Sequence, residues 1–113
     1  MEHKMNLQNG PFYSIKNGTK KIEMRLYDEK RQKIAKGDTI VFANQDKTET
    51  LTVEVVDLHL FESFDGIYQK FPKQWLGYKN DEIARPEDME QYYPADEIAN
   101  FGVVGIEIKL LNK

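Results

Sequence analysis

An apolar residue at every second position, three times over, limits this chain to a fold built on strands. Ile22, Met24 and Leu26 form one such series, Leu51, Val53 and Val55 a second, and Val104, Ile106, Ile108 and Leu110 a third. A period of two places alternate side chains on one face of an extended backbone, so these runs predict strands that share one apolar core. The first run differs from the others in what it carries on its opposite face. Lys21, Glu23, Arg25 and Tyr27 put a cation, an anion, a cation and a phenol in line, about 6 to 7 Å apart at each step of two residues.

The residues before this strand sharpen its meaning. Phe12 and Ile15, in Pro11-Phe12-Tyr13-Ser14-Ile15-Lys16-Asn17, have helical spacing, and Gly18 follows as a helix-stopping glycine. Such a helix buries Phe12 and Ile15 against the sheet, so Lys20, Glu23 and Arg25 are expected in or beside a crevice between helix and sheet. Charges held in a crevice pair with one another and shift their proton affinities.

The pattern Gly-x-Lys-x-x-Glu-x-Arg, met by Gly18, Lys20, Glu23 and Arg25, is followed by a basic segment and a Gly37-Asp38 turn. Thr39 to Phe42 then reads as a strand, and Gly102 to Ile108 as a closing one. In this order and spacing the chain resembles the ASCH family of the PUA-like superfamily. That resemblance spans essentially the whole chain. It implies an α+β, mainly β, fold: a single small PUA-like β-barrel with flanking short helices over residues 1–113.

Composition agrees with one compact domain. Of 113 residues, 40% are hydrophobic and 31% charged, proportions of a globular protein and not of a disordered one. No run approaches the roughly 20 apolar residues of a membrane span, and Met1 to Asn6 lacks the apolar stretch of a signal peptide. The expected location is therefore cytoplasmic. The absence of cysteine removes disulfides, thiolate nucleophiles and Cys-based zinc sites. His3 and His59 lie far apart, without acids at a metal-ligand spacing. No metal site is expected, and no cofactor is implied.

The charge is segregated along the chain. Residues 1–36 carry nine Lys or Arg against four Asp or Glu, a balance of +5, and residues 37–113 carry seven against fifteen, a balance of −8. An acidic protein does not coat nucleic acid indiscriminately. A local stripe including Lys20, Lys21, Arg25, Lys30, Arg31 and Lys33 can nonetheless hold a few phosphates.

The remaining chain reads as a hairpin and short helices. A polar turn at Asn44 to Lys47 should join a strand over residues 39–43 to one over 49–58, whose inward residues are Leu51, Val53 and Val55. Phe61, Phe64, Ile67, Tyr68 and Phe71 recur at helical spacing up to Pro72, and Arg85 to Tyr93 reads as another helix with Pro86 in its first turn. Trp75 is expected to anchor the core. No serine has a histidine beside it, and no glycine-rich phosphate loop is present.

Two functions fit these features. PUA-like domains are commonly RNA-binding, so the resemblance implies an RNA- or nucleotide-like ligand in a cleft. There Lys20, Lys21, Glu23, Arg25 and Tyr27 would meet phosphate or a base edge, with Lys30, Arg31 and Lys33 along the backbone. The alternative is a small metal-independent hydrolase, acting on acetylcytidine or RNA, with Glu23 as general base and Lys20 stabilising charge. In acetylcytidine amidohydrolases similar to this family a hydroxyl residue stands three positions after the lysine. Here that position is Glu23.

Overall fold

β-Branched residues are concentrated in the three central strands of the sheet, while its two edge strands carry few of them. The strands are β1 (Glu2–Asn6), β2 (Ile22–Leu26), β3 (Thr39–Ala43), β4 (Thr50–Phe61) and β5 (Val103–Leu110). Residues 1–111 are described in a computed structural model. Helix α1 (Asn9–Lys16) follows β1, α2 (Phe64–Lys70) follows β4, and α3 (Ala95–Phe101) precedes β5. Arg31–Lys33, Lys73–Leu76 and Pro86–Gln91 are 3₁₀ segments. The last of these was expected as an α-helix. Its closing bonds are of 3₁₀ type, with the Asp88 amide donating to the Arg85 carbonyl and the Tyr92 amide to the Met89 carbonyl, and Pro94 ends the segment.

The strand order is β1-β3-β4-β5-β2, with β1 parallel to β3 and every other pair antiparallel. The sheet curls into a half-barrel whose two edges are β1 and β2. Inside it lies a core of Met5, Phe12, Ile15, Ile40, Phe42, Leu51, Val53, Val55, Val104 and Ile106, among others, with α1 seated on it through Phe12 and Ile15. Full burial of each such side chain contributes about 1.5–3 kcal/mol.

The expectation of one shared core is corrected by β2. Ile22 and Met24 pack with Phe64, Ile67, Leu76, Met89 and Val103 in a second core on the outer face of the sheet. The register gives the reason. Glu23 pairs with Ile106 and Arg25 with Val104, and directly opposed residues of an antiparallel pair point to the same face. Glu23 and Arg25 therefore face the barrel interior, while the apolar parity of β2 is covered by α2 and the segments after it. Trp75 joins this second core, half-buried and stacked on Phe71 at 6.1 Å.

A second departure lies in β4. Val55 pairs with Ile108 but Asp57 pairs with Glu107, so Val56 is an extra residue in a β-bulge. Since one inserted residue exchanges the two faces of a strand, Leu58 turns inward toward Ile106 while Asp57 and His59 turn outward. The alternation seen in Leu51, Val53 and Val55 thus stops at Val55.

Candidate functional site in the open seam of the sheet

The C-terminus of α1 fixes the first residue of the site. Gly18, at φ +88°, reverses the chain, and the amides of Thr19 and Lys20 both donate to the Ser14 carbonyl. Lys20 is thereby aimed inward and is 8% exposed. Its Nζ donates to the Leu76 carbonyl at 3.3 Å and lies 3.1 Å from Glu23 Oε1. Gly77 lets it pass: at φ +107°, a Cβ there would sit 3.3 Å from the Lys20 Cδ.

Glu23 is the hub. It is 4% exposed, and its other oxygen, Oε2, accepts from Arg25 Nε at 2.6 Å. Burial alone would raise its proton affinity, but the charges of Lys20 and Arg25 and their hydrogen bonds outweigh that and hold the carboxyl below the usual range. In the same way burial works against the Arg25 cation, and Glu23 more than restores it. Arg25 Nη2 also donates to the Asn6 carbonyl at 3.2 Å. This bond links β2 to β1 across the open seam.

A cleft of about 420 Å³ opens over this triad. One wall is the seam itself, with Asn6, Leu7, Gln8 and Pro11. The other is built from Tyr68 of α2, Leu76 to Tyr78, Met89, and Gln91 to Tyr93. The crevice therefore lies between the sheet edges and the segments that follow β4, with α1 contributing little of its lining. Tyr78 donates to Asp88 Oδ2 at 2.7 Å, which commits its one proton, so the 2.7 Å contact with Tyr68 has Tyr68 as donor. Burial, followed by these two neighbours, raises the Tyr78 phenol far above its ordinary value. Lys20 and Arg25 are the two cationic side chains of the lining; Glu23, Glu82 and Asp88 are three anionic ones.

The sequence-predicted residues divide between three places. Lys20, Glu23 and Arg25 come together. Lys21 points elsewhere, exposed, with Nζ 5.1 Å from the Trp75 ring centre. Tyr27, beyond the end of β2, packs half-buried against the inner core and does not line the cleft. Lys30 and Lys33 are exposed on the connection to β3, whereas Arg31 is half-buried and bonded to Asp28 at 2.9 Å. It lies near Tyr93, a cleft residue; burial holds that phenol above its ordinary value against the opposing pull of the Arg25 and Arg31 cations.

A family model described as the ASCH domain matches residues 5–112. The chain belongs to the ASCH family. The crystal structure of hypothetical protein PH0355 superposes on this ASCH domain with a TM-score of 0.83 at 33% identity, over 98% of this chain and 100% of the other. The solution structure of protein PF0455 from Pyrococcus furiosus gives 0.74 at 32% identity over the whole of both chains. An ASCH domain from Lactobacillus crispatus, 14% identical, shares the fold with a TM-score of 0.65 over 96% of this chain and 79% of its own. A search of curated proteins returns no match.

Sequence reasoning missed Tyr68, Tyr78 and Asp88. Tyr68 carried a helical signal that it satisfies, and nothing in its spacing marks its hydroxyl as facing a cleft. A residue-level hint existed at Gly77-Tyr78, because glycine next to a large polar aromatic often marks a close approach. The Asp57, His59 and Glu107 group was missed as well: its side-chain ligand atoms all lie within 4.8 Å of one another on the outer face of the sheet. Only the bulge brings it together. Among the described residues no helix is long and apolar enough to cross a membrane.

Proposed function

We propose that this ASCH domain binds RNA or a nucleoside-like ligand by taking a nucleobase into the seam cleft. One observation carries the reading: Lys20 and Arg25 are both paired with Glu23, and Glu82 and Asp88 bring the cleft lining to three carboxylates against those two cations, beside a wall of tyrosines. Such a surface repels free phosphate and suits a planar base, which stacks on aromatic rings and donates an exocyclic amine to a carboxylate. The volume is that of a small-molecule site. Phosphates of a longer RNA are left to exposed lysines outside the cleft, Lys30 and Lys33. The hydrolase reading draws less support. A general base needs a free oxygen near its proton, and both oxygens of Glu23 are held by cations.

The test is a titration of the protein, followed by amide and side-chain NMR shifts, with nucleosides, nucleotides and inorganic phosphate. Base-bearing ligands should shift Tyr68, Tyr78 and Met89, and inorganic phosphate should neither shift them nor compete. Competition by phosphate would overturn the reading. A parallel incubation with acetylcytidine and RNA should show no turnover, and turnover present in the parent but lost in a Glu23→Gln variant that remains folded by its NMR spectrum would restore the enzyme.

A further inference from the structure

We propose that Asp57, His59 and Glu107 form a binding site for a divalent first-row transition-metal ion, on the outer face of the sheet and separate from the seam cleft. The bulge at Val56 re-aims Asp57 and His59 to the outer face, and the register sets Asp57 directly opposite Glu107. His59 is steadied by Phe71, whose ring meets it edge-on at 4.9 Å. Its Nε2 lies 2.9 Å from Glu107 Oε1 and 4.0 Å from Asp57 Oδ2. An ion held at about 2.1 Å by an imidazole nitrogen and an adjacent carboxylate oxygen sets those atoms about 3.0 to 3.4 Å apart, from a right-angled to a tetrahedral arrangement. The His59 and Glu107 pair, at 2.9 Å, is close to that separation. Asp57 is the more exposed carboxylate; its Oδ1 accepts from the Leu58 amide at 2.9 Å, and its Oδ2 is the oxygen that would complete the set. One imidazole with two carboxylates is a mixed nitrogen and oxygen set, matched to Zn²⁺ or Co²⁺ better than to Mg²⁺.

Lys70 opposes the ion. Its Nζ contacts His59 Nδ1 at 3.1 Å, and an ammonium can only donate, so Nε2 carries the ring proton and gives it to Glu107. Binding moves that proton to Nδ1, leaves Nε2 for the metal, and displaces the exposed Lys70. A side chain that accepts from Nδ1–H would favour the bound form instead.

Isothermal titration of the tag-free chain with ZnCl₂, paralleled by the absorption of added Co²⁺, tests the site. One equivalent should bind. His59→Ala and Glu107→Gln should each weaken binding by about tenfold or more, and Lys70→Gln, whose amide oxygen can accept from Nδ1–H, should tighten it severalfold. His3→Ala removes the other imidazole and should change nothing. Glu107→Gln is nearly isosteric and partly exposed, so it reads the site even if His59→Ala folds poorly. Failure to saturate at one equivalent, binding that survives both substitutions, or binding lost with His3→Ala would overturn the proposal.

Discussion

Glu23 commits one carboxylate oxygen to Lys20 and the other to Arg25, so what it does for the molecule depends on its staying charged. Replacing it with Gln keeps the shape but leaves two largely buried cations without their counter-charge. Glu23→Gln should cost about 3–5 kcal/mol in urea unfolding, a cost typical of breaking a buried pair. The pH dependence follows from the direction of the shift. A carboxyl whose affinity for protons is lowered by folding stabilises the protein above its unfolded pKa, near 4.3, and that contribution fades as pH falls through the lower folded value. Asp38 acts in the same sense: a hydrogen bond from His3, then one from the Ala35 amide, bring it down to about 2. Stability should therefore fall from about pH 4 toward pH 2. The Glu23→Gln variant should show a shallower fall over that window, measurable by thermal unfolding at each pH.

At the level of elements, two features of the sheet decide the layout. Strand β5 is buried on both faces: Val104 and Ile106 enter the inner core and Val103 the outer one. Ile106→Ala, at a fully buried position, should cost about 2–5 kcal/mol, and a neutral result would mean that its face is misassigned. The bulge in β4 is the other feature. Val56 is 39% exposed, so Val56→Thr should change stability by less than about 0.5 kcal/mol. Deleting Val56 lets Asp57 follow Val55 directly, opposite Glu107, so it removes the bulge and leaves Asp57 and His59 outward and Leu58 in the core. That deletion should keep a cooperative unfolding transition in calorimetry, whereas one further residue inserted after Val56 would turn Leu58 out of the core and should abolish it.

Across the whole molecule, the half-barrel leaves a gap between its edge strands, and the gap becomes the cleft. The hydrogen bond from Arg25 to the Asn6 carbonyl crosses it without filling it. Charge is arranged on a similar scale. The +5 balance of residues 1–36 is consumed in part by ion pairs, Lys16 with Glu49, Lys20 and Arg25 with Glu23, and Arg31 with Asp28. Lys30 and Lys33 are exposed, and in the proposed RNA binding they meet the phosphates. Affinity for short single-stranded RNA should fall with salt, and Lys30→Ala with Lys33→Ala should flatten the slope of log K against log salt by up to about 1.4, near 0.7 for each contact. Arg31→Ala should mainly lower stability, since Arg31 is held by Asp28. A slope unchanged by the lysine pair would remove this surface from the RNA path.

Local information was enough for the alternating strands, the helix stop at Gly18 and the meeting of Lys20, Glu23 and Arg25 in one ion-pair cluster, because alternation and a positive-φ glycine act over a few residues. The sequence also determined the family through the order of those short signals. It did not determine which core each strand serves. Ile22 and Met24 look like Val104 and Ile106 in pattern, and only the pairing of β2 with β5 and the cover supplied by α2 send them to opposite faces. Tyr68, Tyr78 and Asp88 meet across a distance in sequence that no local period spans. The bulge at Val56 is likewise invisible locally, since an extra residue is defined only against the partner strand. Contacts closed by tertiary structure cost chain entropy that depends on the whole fold, and so the side chains that build the cleft wall and the Asp57, His59 and Glu107 group were decided there.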